Sequence, residues 1–184
     1  MFEMGDRVVY HHDVCKVVGY EENYIDEDDY LVLEALFQHA MKFYVPVRSI
    51  DLLLRPVMTR EQALELIDGI EGTSPLDESV IDELARRRSG PGQGRVSTGN
   101  KLHDCYRTYV KGSSTSDLVP FIKMIHARID DRKAQDQHPI ATDREFYRTV
   151  ETMIDDELAA ALDIDRSEVK PFIAQRTGMT FCEI

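Results

Sequence analysis

Over the first 57 residues the apolar side chains come in short alternating runs broken by glycine and acidic residues, the pattern of strands and not of helices. Gly5-Asp6 leads into a strand predicted over Arg7–His11, and Cys15–Tyr20 makes a second. The acidic stretch Glu21–Asp29 reads as a solvent-facing connection, after which Tyr30–Leu36 and Lys42–Val47 give two more strands. Pro46 lacks a backbone donor and so belongs at a strand end or on an edge. Four or five short strands in so small a segment suggest a small barrel of SH3 or Tudor type.

From Thr59 the apolar period lengthens to about 3.6, which marks a domain boundary. Thr59 and Gln62 have capping-box spacing, and Ala63, Leu66, Ile67 and Ile70 form one stripe before Gly72. Pro75 suits the first turn of a second helix with Leu76, Val80, Ile81 and Leu84 on its apolar side. Residues 89–100, rich in glycine, read as a flexible loop. Further helices are predicted from Leu102 to Val110 and from Asp117 to Lys133, the latter with Pro120 in its first turn. Thr142 and Glu145 form a capping box ahead of a stripe running from Phe146 to Leu162, and Asp165 with Glu168 opens a last helix ending near Gly178. The expected fold is therefore α+β: a Tudor/SH3-like barrel over residues 1–57, then an all-α domain of five or six helices over 58–184.

Composition narrows the class. With 42% hydrophobic and 30% charged positions in 184 residues, the chain can build a core without disulfides. Cys15, Cys105 and Cys182 lie far apart, which fits a reducing compartment. No run of about 18 apolar residues is present, and Met-Phe-Glu-Met-Gly-Asp is not the start of a secretory signal, so a cytoplasmic location without membrane attachment is expected.

The net charge of −12 disfavours a nucleic-acid partner until it is resolved along the chain. Segments 1–57, 58–85 and 134–184 are acidic, whereas 86–133 carries eleven basic against four acidic residues. That block contains Arg86, Arg87, Arg88, Arg95, Lys101, Arg107 and Lys111, interleaved with Tyr106 and Tyr109. Arg107 and Lys111 share a helix face by their spacing, and the block suits an anionic ligand unless neighbouring carboxylates neutralise it.

Catalytic and metal chemistry find little support. In His11-His12-Asp13-x-Cys15 adjacent strand residues face opposite sides, and in His103-Asp104-Cys105 adjacent helical residues diverge by about 100°. No phosphate-cradling glycine motif, nucleophile elbow or H-E-x-x-H occurs. The pairs Asp130-Asp131 and Asp155-Asp156-Glu157 read as solvated helix faces. No enzyme, metal or cofactor is expected.

The opening Met-Phe-Glu-Met-Gly-Asp-Arg-Val-Val-Tyr-His-His-Asp-Val resembles the start of the CarD/CdnL family of bacterial transcription regulators, whose pattern is F-x-x-G-D-x-V-V-Y-P-x-H-G-V/A. Tyr30–Leu33, Phe43–Val47 and Leu54–Val57 resemble later strands of that family, and Ile122–Ile129 and Asp156–Leu162 more loosely resemble its core helices. The resemblance implies a Tudor-like domain, shared with transcription-repair coupling factors, that docks on the β subunit of RNA polymerase. It also implies a helical domain that contacts promoter DNA weakly, through backbone and minor groove, to modulate the open complex.

By the same resemblance the polymerase contacts fall on Asn23, Tyr24, Lys42 and Tyr44. The family often has arginine at the places of Tyr44 and Asn23-Tyr24, so hydrogen bonding and aromatic packing replace ion pairing here. The family's minor-groove tryptophan has no counterpart in this Trp-free sequence, and its slot falls on Leu102 or His103. With the cations named above, these make the expected DNA face. One rival is an adapter that binds polymerase or another protein with no DNA role; a weaker one is an enzyme using His103 and Cys105.

Overall fold

The computed structural model describes residues 2–25, 28–38, 40–88 and 98–178. Strands β1 (Arg7–Tyr10), β2 (Asp13–Ile25), β3 (Asp28–Ala35) and β4 (Lys42–Pro46) come first. A 3-10 turn over Val47–Ser49 and the single-turn helix α1 (Ile50–Leu53) lead to β5 (Leu54–Pro56). All strand pairs are antiparallel, in the order β4-β3-β2-β1-β5. The sheet followed by helices is the α+β arrangement expected, but the sheet is open, with β4 and β5 as its edges. Pro46 ends β4 on an edge, where its missing N–H costs no ladder bond.

The acidic stretch differs from the expectation. Instead of a connection, Glu21 pairs with Tyr30 and Ile25 with Asp28, so β2 and β3 extend as the two arms of one hairpin. Tyr20, Tyr24, Ile25 and Tyr30 supply strand-forming residues between the carboxylates, of which Glu21 and Glu22 are exposed.

Alternation divides the sheet into two faces. One face builds a core from Val8, Cys15, Val17, Leu31, Leu33, Ala35 and Val45, closed by Ile50 and Leu54. Burial pushes the Cys15 thiol up to about 12, helped by the neighbouring Asp13 charge, so it is an inert core residue. Tyr30, Val32, Glu34, Lys42 and Tyr44 project from the opposite face.

Six helices follow: α2 (Arg60–Gly69), α3 (Glu78–Arg88), α4 (Thr98–Gly112), α5 (Thr115–Ala134), α6 (Ala141–Leu162) and α7 (Arg166–Thr177). Thr59 and Gln62 form the expected reciprocal cap, at 3.2 and 2.8 Å. Other boundaries move. Asp77, not Pro75, caps α3 by accepting from the Ser79 N–H, and Ala141 opens α6 ahead of Thr142. A Ser114–Asp117 capping box starts α5 early enough to leave Pro120 beyond the first turn. The Pro120 carbonyl accepts instead from the Leu76 N–H at 2.8 Å.

The chain forms two compact units, Met1–Glu65 with Asp155–Phe172 and Leu66–Ile154 with Ile173–Ile184. In the first, the end of α6 covers the β1–β5 part of the sheet's second face, with Val9 and Val14 packed on Ala160 beside Phe37 and Val57. Three arginines hold it there. Arg55 grips Glu157 with two nitrogens at 2.5 and 2.7 Å, Arg7 donates to the Ala160 carbonyl and Asp163, and Arg60 donates to the Leu162 carbonyl. The Met58 N–H adds a third donor to Glu157, which is 2% exposed. Asp156 is buried too, so these carboxylates are not on the solvated helix face expected from sequence. The apolar run Leu158–Leu162 draws that part of the helix against the sheet, and the arginines satisfy what it carries inward.

In the second unit Tyr106, Phe121, Ile125, Ile129 and Val150 form a core, with the Tyr106 ring edge-on to Phe121 and Phe146. Its polar centre is the fully buried Asp143, which accepts from the Tyr106 hydroxyl at 2.9 Å and lies 3.5 Å from Arg128 Nε. Arg128 also pairs with Glu78 at 3.0 Å, and Lys123 Nζ caps the end of α2 by donating to the Ile70, Glu71 and Thr73 carbonyls.

Arg55→Ala leaves a buried carboxylate short of two donors and should lower unfolding free energy by about 2–4 kcal/mol in urea melts. Asp156 carries the opposite strain: burial raises its carboxyl from 3.8 to about 6, against the pull of Arg166 at 3.0 Å and with the push of Asp13. The folded chain holds that proton where the unfolded chain has lost it, so this contribution to stability is complete below pH 3.8 and lost as pH rises through about 6. Asp156→Asn should raise Tm at pH 7.5, the gain shrinking as the buffer is taken down toward pH 4 in calorimetric scans.

Candidate protein and nucleic-acid interfaces

The open part of the second sheet face gathers most of the residues expected to contact polymerase. The Tyr24 and Tyr44 rings stack with centroids 4.9 Å apart and planes at 11°, and Tyr30 meets Tyr24 edge-on at 5.9 Å. Tyr24 is 50% and Tyr44 41% exposed, a large aromatic surface to leave in water. Register explains how residues distant in sequence meet: Val32 lies opposite Tyr44, which puts Tyr30 and Tyr44 on one face, and the hairpin brings Tyr24 back over them.

Asn23 takes a left-handed conformation, φ 50°, that asparagine tolerates better than most residues. Its N–H donates to Asp29 Oδ1, while the Tyr20 hydroxyl donates to Oδ2 of the same carboxylate at 2.9 Å. That hydrogen bond pushes the exposed Tyr20 phenol above its usual range. Lys42 is exposed two residues before Tyr44 on the same face, in a row with Glu34 and Lys16. Tyr30 completes the surface and escaped sequence reading, although it closes the acidic run; Tyr20, opposite Leu31, lies on the other face of the sheet.

The basic block separates into two groups. Lys101, Arg107 and Lys111 are exposed on α4 and, at 100° per residue, fall within about 120° of arc, with Asp104 between them. They make no ion pair among the described residues. Arg86 and Arg87 are exposed near the end of α3, which packs against α4, and Arg87 pairs with Glu83 at 2.6 Å. Arg88 closes α3, and Arg95 and the rest of segment 89–97 lie outside the described residues. Residues 98–100, expected in the loop, form the first turn of α4.

The other group is structural. Arg128 and Lys123 serve the network and cap described above, and Arg132 donates to the His138 carbonyl. The two residues of the wedge slot are half-buried, and His103 packs on Phe146 at 5.1 Å and lies 3.6 Å from Glu145. Cys105 is buried. Among the described residues no three His, Cys, Asp or Glu side chains are placed to hold a metal, and no helix is long and apolar enough to cross a membrane.

The α4 face depends on Tyr106 to seat the helix. Burial, then the Asp143 charge, pushes the Tyr106 phenol well above its usual range, so it stays a hydrogen-bond donor. Tyr106→Phe removes that donor from a buried carboxylate and should cost about 1–3 kcal/mol in chemical denaturation, with the helical content of the native state unchanged.

Residues 2–58 match the family model of the CarD-like/TRCF RID domain, while no curated protein matches the chain. The match begins ahead of β1, takes in all five strands and α1, and ends at Met58, the residue whose N–H binds Glu157. The sheet lies within the match from its first strand to its last, so residues 2–58 are similar to a CarD-like/TRCF RID domain.

Proposed function

We propose that the chain is a transcription regulator that docks on the β subunit of RNA polymerase through the Tyr24–Tyr44 face and touches promoter DNA through α4, so tuning the stability of the open complex. RID domains are protein-interaction domains, and the observation that carries the docking reading is an exposed, stacked tyrosine pair inside the segment that matches one. Tyrosines anchor interfaces well, because they bury much area and lose few rotors.

The DNA part rests on Lys101, Arg107 and Lys111, three exposed cations on one side of a helix. Such a patch positions the protein on phosphates without reading sequence. Its intrinsic affinity is low in a chain of net charge −12, and tethering to polymerase compensates by raising the effective concentration at the promoter. Leu102 is half-buried and His103 rests on Phe146, so little of either side chain is free to serve as a wedge. That packing favours a second reading, a polymerase-binding adapter with no DNA role.

A promoter-complex assay with purified polymerase separates the two. Joint change of Lys101, Arg107 and Lys111 to Ala should leave polymerase binding intact, shift open-complex lifetime toward that without the protein, and reduce the log–log salt slope of the effect by about 3. An unchanged lifetime and slope would establish the adapter. Tyr24→Ala with Tyr44→Ala should abolish both polymerase binding and the promoter effect.

A further inference from the structure

The second face of the sheet is covered by the chain itself at β1 and β5 and left open at β3 and β4, where the stacked tyrosines lie. Resting on the docking reading above, we propose that this open part receives a guanidinium-bearing segment of its partner, an arginine laid on the Tyr24–Tyr44 stack within reach of the β2–β3 hairpin carboxylates.

The charge around the rings sets that choice. Residues 20–30 hold six carboxylates and no Lys or Arg. Asp28 is paired with Arg48 at 2.9 Å, and Asp29 accepts from Tyr20 and Asn23, but the side chains of Glu21 and Glu22 are exposed. Arg48 is taken up by Asp28, and Lys42 and Lys16 flank Glu34 in a separate row, so Glu21 and Glu22 keep the negative charge of the hairpin. A tyrosine ring also presents a negative face, and both fields favour a cation and repel a carboxylate.

Geometry favours arginine over lysine. Tyr24 is held between Tyr44, stacked, and Tyr30, edge-on, so a flat aromatic platform is preformed and little side-chain freedom is lost on contact. A planar, weakly hydrated guanidinium can stack on such a platform and still direct N–H groups sideways to Glu21, which lies opposite Tyr30 on the same face. A compact ammonium does one or the other.

The test measures binding of the full chain to the purified polymerase β subunit by interferometry, from about 0.05 to about 0.3 M salt. Affinity should fall with salt, and Glu21→Lys with Glu22→Lys should weaken it by about tenfold at low salt. Tyr44→Leu should lose about tenfold, and Tyr44→Phe, which keeps the ring face, should bind more tightly than Tyr44→Leu; thermal melts confirm that each variant is folded. The cation assignment is overturned if the parent binds β but charge reversal is silent or strengthening, or if leucine serves as well as phenylalanine. No binding by the parent is a different result, and it removes the docking reading together with the inference.

Discussion

Glu157 is a carboxylate that water scarcely reaches, tolerable there because Arg55 brings two donors and Met58 a third. Such a pair adds little net stability over a well-packed apolar contact, but it punishes mispairing severely, since either partner left alone in the interior is costly. It therefore determines which surface of the helix meets the sheet. Arg7 and Arg60, reaching carbonyls at the end of the same helix, satisfy acceptors that would otherwise lack partners at a helix C-terminus. With one part of the sheet occupied by residues 155–172, the tyrosine-bearing part keeps Tyr24 and Tyr44 exposed.

The same residue type serves opposite ends in the second unit. Arg128 and Lys123 are drawn inward to neutralise Asp143 and to cap α2, whereas Arg107 and Lys111 lie on the solvent side of α4. Packing of the neighbouring tyrosines makes the distinction: buried Tyr106 and half-buried Tyr109, stacked on Phe121 at 4.9 Å, fix the rotation of α4, and the cations follow from that rotation. Net charge is silent on the matter, because it counts all of them alike.

Local physics was legible in the sequence where one short segment decided the outcome. Val8 and Val9, alternating in a run flanked by Gly5-Asp6 and a turn, could only be a strand; Thr59 and Gln62 could be read as a cap from spacing alone. The tyrosine surface was half legible, since Tyr24 and Tyr44 came from resemblance but their stacking required the β3–β4 register. What escaped was set by partners far away. Glu157 and Arg55 are separated by 102 residues, and an acidic triplet beside an alanine-rich turn gives no sign that it will be buried. Pro75 and Thr142 misled for a related reason: Asp77 and Ala141 set helix starts that motif spacing alone did not reveal.

The covering of the sheet by residues 155–172 bears on how the protein is made. The first unit is interrupted in sequence by Leu66–Ile154, so a ribosome finishes all five strands long before it reaches the helix that shields Val9 and Val14. At about 5–20 residues per second the interval is roughly 5–20 s, during which the nascent sheet carries an uncovered apolar strip and Arg55 has no carboxylate to grip. Completion of the first unit is thereby postponed until residues 155–172 have been made, and a chain cut short within the intervening helices would keep its sheet bare.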